Sequence, residues 1–184
     1  MALYTKKGDS GTTGTFGCDQ RISKSSAIAE ALGTLDEINS FLGICKIKSD
    51  VTSYMLQVTR VSDIANGVQQ NLFIIQAELA GADKTIAKDK VEEVEKIIDG
   101  IEKELPPIKT FFVSGGTELA ATFDFARTLA RRAERRVVEV SENGDRKVGE
   151  HTLAYLNRLS SLLYALARLS NHEAGITEEK PEYK

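Results

Sequence analysis

The chain has 184 residues and a formal net charge of −3, from 24 Lys and Arg against 27 Asp and Glu. Charged residues make up 28% and hydrophobic residues 41%, which is typical of one soluble globular domain and too apolar for a disordered chain. No run approaches the roughly 20 apolar residues of a membrane span, and the acidic balance disfavours a nucleic-acid partner. The start lacks an apolar signal segment and two cysteines cannot build a disulfide framework, so we expect a cytoplasmic protein.

Apolar residues recur at alternating steps of three and four along most of the chain, which predicts helices. The predicted helices cover residues 25–48, 54–81, 91–105, 119–142 and 147–172. We expect Asp89 to cap the third helix, which Pro106 ends, and an extended link over 109–114 to precede the fourth. Short connections between five helices predict an all-α, antiparallel five-helix bundle.

The two ends of the chain lack the helical period. We therefore predict a single domain with a non-helical arm over 1–24, a bundle over 25–175 and a polar, frayed tail over 176–184. The arm is rich in Gly, Thr and Lys between Thr5 and Gly14, so backbone N–H groups and positive charge can surround a polyphosphate. It does not match the Walker A pattern, and a flexible terminus without function is an equally good interpretation of its composition.

Charged and polar residues are set into the predicted helices beside their apolar faces. Arg127, Arg131 and Glu134 share one face of the fourth helix, next to Ala126 and its small neighbours. A solvated face with internal ion pairs is the plainer interpretation.

Two further polar positions lie beside apolar stripes. Asp36 is expected to be a partly buried carboxylate that pairs with Arg127 or Arg131. Asn157 shares a face with Ser161, Tyr164 and Arg168. The alternative is that these are ordinary surface residues next to the core.

Other kinds of site are poorly supported. The two histidines form no ExxH or HExxH pattern and the cysteines no CxxC pattern, so no metal-ligating residue is predicted. The segment from Phe111 to Gly116 is, on its residues alone, a buried connector between helices.

Several segments together resemble the PduO-type ATP:cob(I)alamin adenosyltransferases, in the same order along nearly the whole chain. The matching segments are YTKKGDSGTT (4–13), RISK (21–24), GTLDEINS (33–40), FFVSGGT (111–117), ARTLARRAER (126–135) and LNRLS (156–160). The resemblance implies a homotrimer of five-helix bundles with active sites between subunits. It also implies transfer of the 5′-deoxyadenosyl group of ATP to the Co(I) of a corrinoid, with release of triphosphate and with Mg²⁺ accompanying the nucleotide.

The resemblance also implies a role for individual residues. Asp36 and Arg127 match the pair that links neighbouring subunits beside the corrinoid, and Phe111 matches the aromatic residue that displaces the corrinoid's lower ligand. The implied ATP contacts are Thr5, Lys6, Lys7, Gly8, Thr12, Thr13, Lys24, Arg131, Arg132, Glu134, Arg135 and Asn157. The family usually has Pro where this chain has Ser114, which predicts a less rigid start to the fourth helix.

The implied chemistry agrees with the residues present. Co(I) is itself a strong nucleophile, so the protein needs to orient the substrates and stabilise charge on the leaving triphosphate. A Co(II) reductase and a cobalamin-dependent acceptor enzyme are the implied protein partners. The alternative function is a non-catalytic bundle that acts as a nucleotide sensor or a cobalamin carrier.

Overall fold

The computed structural model describes residues 3–15, 21–52, 55–56 and 59–183. These ranges contain five α-helices and two short antiparallel hairpins. The helices are α1 (Ala27–Thr52), α2 (Val61–Leu79), α3 (Lys88–Glu104), α4 (Glu118–Glu142) and α5 (Glu150–Glu173). Strands β1 (Thr12–Gly14) and β2 (Arg21–Ser23) form one hairpin, and β3 (Met55–Leu56) and β4 (Thr59–Arg60) form the other. The predicted all-α five-helix bundle is confirmed, and none of the described helices is long and apolar enough to cross a membrane.

The core lies around α4, which packs against both α1 and α5. α2 extends this layer beyond α1, and α3 packs on α5. The stripe of Ala126, Ala130 and Ala133 is fully buried. Small side chains at these positions let the neighbouring helices approach α4 closely, so the polar residues beside the stripe are brought to the edges of tight helix contacts.

Two predicted helix starts are wrong. α2 begins at Val61, because Thr59–Arg60 pairs with Met55–Leu56 and Arg60 is extended, with φ −71° and ψ 141°. The apolar period continues upstream through Tyr54 and Val58, which lie outside the described residues, so spacing alone does not reveal the antiparallel pairing of β3 with β4. α3 begins without a side-chain cap, and Asp89 lies inside its first turn, where its charge is favourable to the helix dipole.

The expectation of a frayed tail is also wrong. The Ile176 N–H donates to the Asn171 carbonyl at 2.9 Å, and the Val113 N–H donates to the Glu179 carbonyl at 2.8 Å. Glu178 forms an ion pair with Arg168 at 2.9 Å. The segment after α5 therefore turns back and lies against the link between α3 and α4. Its polar composition did not reveal these partners, which lie 5 to 66 residues away in sequence.

Candidate functional site

The link between α3 and α4, residues 106–117, is called the connector here, and it is held by a polar side chain of α5. The Asn171 amide accepts from the Thr117 N–H at 2.9 Å and donates to the Gly115 carbonyl at 3.0 Å. Gly116 has φ +92°, and a Cβ atom there would lie 2.3 Å from the Asn171 amide oxygen. Thr117 then caps α4 by accepting from the Ala120 N–H. Glycine is thus required at the point where the connector meets α4.

Phe111 lies in the middle of the connector and is 77% exposed, and Val113 is also largely exposed. The interpretation of this segment as a buried connector is therefore wrong. Phe111 and Phe112 line a cavity of about 520 Å³, called the connector cavity here. Asn171 bonds the connector at Gly115 and Thr117, and the Phe111 ring is left exposed at the cavity.

Residues of α4 and α5 form the other walls of the connector cavity. Arg127 donates to Asp124 at 3.0 Å and lies 5.9 Å above the centre of the Tyr164 ring. Burial raises the pKa of the Tyr164 hydroxyl above its ordinary value, and Tyr164 lines the cavity. Arg131 lines the same cavity, as do Ser161 and Arg168. Ser161, Tyr164 and Arg168, which were predicted to share one face of α5, thus form a wall of the connector cavity. Asp124 also lines this cavity, and no signal in the sequence had singled it out.

A second cavity of about 370 Å³, the arginine cavity, lies further along α4. Four of the predicted ATP residues line it together: Arg131, Glu134, Arg135 and Asn157. The Asn157 amide donates to Glu134 at 3.0 Å, which ties α5 to α4 at this point. Arg131 lines both cavities, so one residue lies at the boundary between an aromatic site and a charged one.

Two predicted residues face elsewhere in the single chain. Arg132 forms an ion pair with Glu37 of α1, and its buried Nε atom has no partner among the described residues. Asp36 is exposed, so the expectation of a partly buried carboxylate is wrong for one subunit, and Arg127 pairs with Asp124 instead. Asp36 and Glu37 of α1 are both exposed in the single chain.

The arm forms a small structured unit ahead of α1. Arg21 donates to the Thr12 carbonyl at 2.7 Å and to its hydroxyl at 2.8 Å, a role that sequence analysis missed. The Lys24 N–H donates to the Gly11 carbonyl at 2.9 Å, and its Nζ atom lies 3.2 Å from where a Cβ of Gly8 would be. Lys24 therefore lies against the glycine-rich segment 5–14, which is called the glycine loop here. The other predicted ATP residues of the arm belong to this loop: Thr5, Lys6, Lys7, Gly8, Thr12 and Thr13.

The arm and the arginine cavity remain separate in the single chain. None of the described arm residues lines that cavity. The described part of the chain also contains no group of three or more His, Cys, Asp or Glu side chains that could hold a metal ion. The predicted ATP residues thus fall into two groups, one on the arm and one on α4 and α5.

Comparison with known proteins shows the family of the chain. The sequence model of the cobalamin adenosyltransferase family matches residues 3–170, so the chain belongs to this family. It is 39% identical over 181 residues to the corrinoid adenosyltransferase PduO of Citrobacter freundii, covering 95% of this chain and 51% of that protein. It is 36% identical over 193 residues to the corrinoid adenosyltransferase of Bacillus subtilis, covering 99% and 93%. The chain thus spans about half the length of the PduO relative and nearly all of the Bacillus one.

Solved structures agree with the sequence comparison. The fold matches a PduO-type ATP:corrinoid adenosyltransferase from Lactobacillus reuteri, a phenylalanine-to-alanine variant complexed with cobalamin and ATP. The TM-score is 0.86 at 30% identity, over 99% of this chain and 100% of the other. An arginine-to-lysine variant of the same enzyme, complexed with ATP, matches with a TM-score of 0.85 at 30% identity, over 98% of this chain and 100% of the other.

Proposed function

We propose that the protein is an ATP:corrinoid adenosyltransferase that transfers the 5′-deoxyadenosyl group of ATP to Co(I) of a corrinoid. The Co(I) electron pair forms the new cobalt–carbon bond at C5′, and the C5′–O bond breaks with its electrons on the leaving triphosphate. The observation that carries the proposal is the position of Arg131 at the boundary of the two cavities. Such a reaction needs a polyphosphate site and an apolar corrinoid site that share one edge.

The arginine cavity and the arm are the proposed nucleotide site. Arg131 and Arg135 would stabilise the charge that develops on the triphosphate, and Asn157 keeps Glu134 in place beside them. Arg132 is a further predicted ATP contact, and its guanidinium would have to leave Glu37 of α1 to reach the phosphates. From the arm, the backbone of the glycine loop and Lys24 would cover the phosphates, together with the other predicted arm contacts Thr5, Lys6, Lys7, Gly8, Thr12 and Thr13.

The connector cavity is the proposed corrinoid site. Phe111 projects its exposed ring there and would displace the lower axial ligand of the corrinoid, which makes Co(II) easier to reduce because the donated electron density is lost. Arg127 and Asp36 are proposed to pair across a subunit boundary beside the corrinoid. This requires Arg127 to exchange or share its present partner, Asp124.

Mg²⁺ would be held mainly by the nucleotide. Mg²⁺ prefers oxygen ligands and commonly binds one or two carboxylates together with substrate phosphates. Glu134 is a carboxylate inside the arginine cavity, with Asn157 on one oxygen, and so fits one such position. The ion would neutralise part of the triphosphate charge.

A homotrimer is proposed from the outer face of α1. Ile44, Ile47 and Val51 follow Asp36 along this face at helical spacing and are exposed by 46%, 68% and 82%. On the neighbouring α4, Phe125 is 54% exposed. Several exposed apolar side chains along one helix face are typical of a subunit interface. A second copy on this face would cover Asp36 and bring another arm towards the arginine cavity.

Mixed trimers test whether each site is shared between subunits. Lys24→Ala impairs only the arm half and Arg131→Ala only the helix half, so each variant alone should be inactive as a homotrimer. Equal co-expression should restore about a quarter of the wild-type activity per site, because random assembly pairs the two intact halves at that frequency. No restoration would place both halves in one chain, and a monomer in sedimentation velocity would refute the shared site altogether.

The proposed activity is tested by incubating the protein with ATP, Mg²⁺, a corrinoid and a chemical reductant. The expected products are an alkylcorrinoid, detected by its light-sensitive absorbance, and triphosphate in equal amount. Binding of both substrates without a cobalt–carbon bond would instead support the sensor or carrier function. The same proposal includes two protein partners, a Co(II) reductase and a cobalamin-dependent acceptor enzyme. It also includes a cytoplasmic location, with which the free Cys45 thiol agrees.

A further inference from the structure

Arg168 is a buried cation that joins α5 to two other segments of the chain, the connector and the tail. It is only 6% exposed and lies on α5, at the junction of the connector cavity and the tail. Its guanidinium pairs with Glu178 at 2.9 Å, donates to the Pro106 carbonyl at 3.1 Å, and stacks over the Phe112 ring at 5.2 Å from the centroid. One side chain thereby fixes the start of the connector, the residue after Phe111 and the tail.

The tail adds a second hold on the same segment. The Val113 N–H donates to the Glu179 carbonyl at 2.8 Å, one residue after the ion pair of Glu178. Phe111 itself is exposed and has little packing of its own. Its position is therefore set by the neighbours that follow it, Phe112 under the guanidinium and Val113 on the tail.

We infer that the Arg168–Glu178 pair is a clasp whose function is to position Phe111 at the mouth of the connector cavity. Arg168 and Glu178 are positioning residues and do not take part in bond making. This inference rests on the proposed function, because it assumes that Phe111 acts on the lower face of the corrinoid. Without the Glu178 carboxylate, the buried guanidinium keeps only the Pro106 carbonyl and the Phe112 ring of the partners described above, which do not neutralise its charge. The tail and the connector should therefore loosen together.

The test compares two variants that each remove one negative charge from the tail. Glu178→Gln breaks the ion pair, whereas Glu179→Gln changes an exposed carboxylate next to it and leaves the backbone bond to Val113 in place. Hydrogen exchange of the Val113 amide in the protein alone should be about tenfold faster in Glu178→Gln and unchanged in Glu179→Gln. Glu178→Asp keeps the charge and should give an intermediate rate, which guards against a variant that merely unfolds.

The second measurement uses electron paramagnetic resonance of the Co(II) corrinoid with ATP. Glu178→Gln should lower the four-coordinate fraction at least about threefold, while the KM for ATP and turnover from pre-reduced Co(I) stay within about twofold of wild type. If wild type and Glu179→Gln give the four-coordinate signal and Glu178→Gln gives it equally, the clasp does not position Phe111 and the inference is overturned. If wild type itself gives no such signal and no alkylcorrinoid, the proposed function fails first, and the inference falls with it.

Discussion

Replacing Phe111 by alanine separates a ring that acts on a ligand from a ring that packs in the core. A fully buried phenylalanine costs about 3–5 kcal/mol when truncated to alanine. Phe111 is 77% exposed, so only about 50 Å² of a side chain of about 200 Å² is covered. At about 25 cal/mol per Å², the expected loss in the free energy of unfolding is about 1 kcal/mol.

Activity should respond much more strongly than stability. Phe111→Ala should leave the bound Co(II) corrinoid with its lower ligand, and electron paramagnetic resonance should show a five-coordinate spectrum where wild type gives a four-coordinate one. Adenosylation that starts from Co(II) should fall at least about 100-fold, equivalent to about 3 kcal/mol, whereas adenosylation from pre-reduced Co(I) should fall far less. The comparison of the two starting states isolates the reduction step from alkyl transfer.

Phe123→Ala is the matched control, because Phe123 is fully buried on α4. It should lower the free energy of unfolding by about 3–5 kcal/mol, and activity should follow the folded fraction in both assays. The reasoning is refuted if Phe111→Ala destabilises the protein as much as Phe123→Ala. It is equally refuted if Phe111→Ala gives the wild-type spectrum, in which case Phe112 becomes the residue to test.

The remaining predictions concern the triphosphate, the start of α4 and alkaline pH. Arg131→Ala should reduce turnover at saturating ATP about 100-fold without changing Tm. The control is Arg136→Ala, since Arg136 lies on the same helix and pairs with Glu139, and it should reduce turnover less than about threefold. Equal effects would refute a specific phosphate contact of Arg131. Gly116→Ala should lower the free energy of unfolding in urea by at least about 3 kcal/mol. Gly144→Ala should lower it by about 1 kcal/mol, because Gly144 has a positive φ of 73° but open space where a Cβ atom would lie. Equal losses would exclude the clash at the connector. Burial raises the pKa of the Cys45 thiol from 9.0 to about 12, so the thiol loses its proton at lower pH in the unfolded chain than in the folded one. The free energy of unfolding should therefore fall by about 1 kcal/mol between pH 8 and 10. Cys45→Ala should show a smaller fall, and an identical fall would refute this assignment.

The sequence by itself determined the helices and the groups of residues that share a helix face. The period of the apolar residues is a local property of the chain, so their spacing alone was enough to assign the stripe of Ala126, Ala130 and Ala133 to the core. The same spacing placed Asn157 and Arg168 on one face of α5, and that face lines the two cavities. Local signals failed at Tyr54, where the period continues but α2 begins only at Val61.

Only the tertiary structure decided what meets across the chain. Nothing in the spacing of the residues shows that Glu178 returns to Arg168, that Asn171 holds the turn at Gly116, or that Phe111 stays exposed. Such contacts depend on the relative placement of helices, which is set by packing of the whole core and not by the residues next to a position. For the same reason the boundary position of Arg131, between an aromatic cavity and a charged one, emerged only when α4 and α5 were packed together.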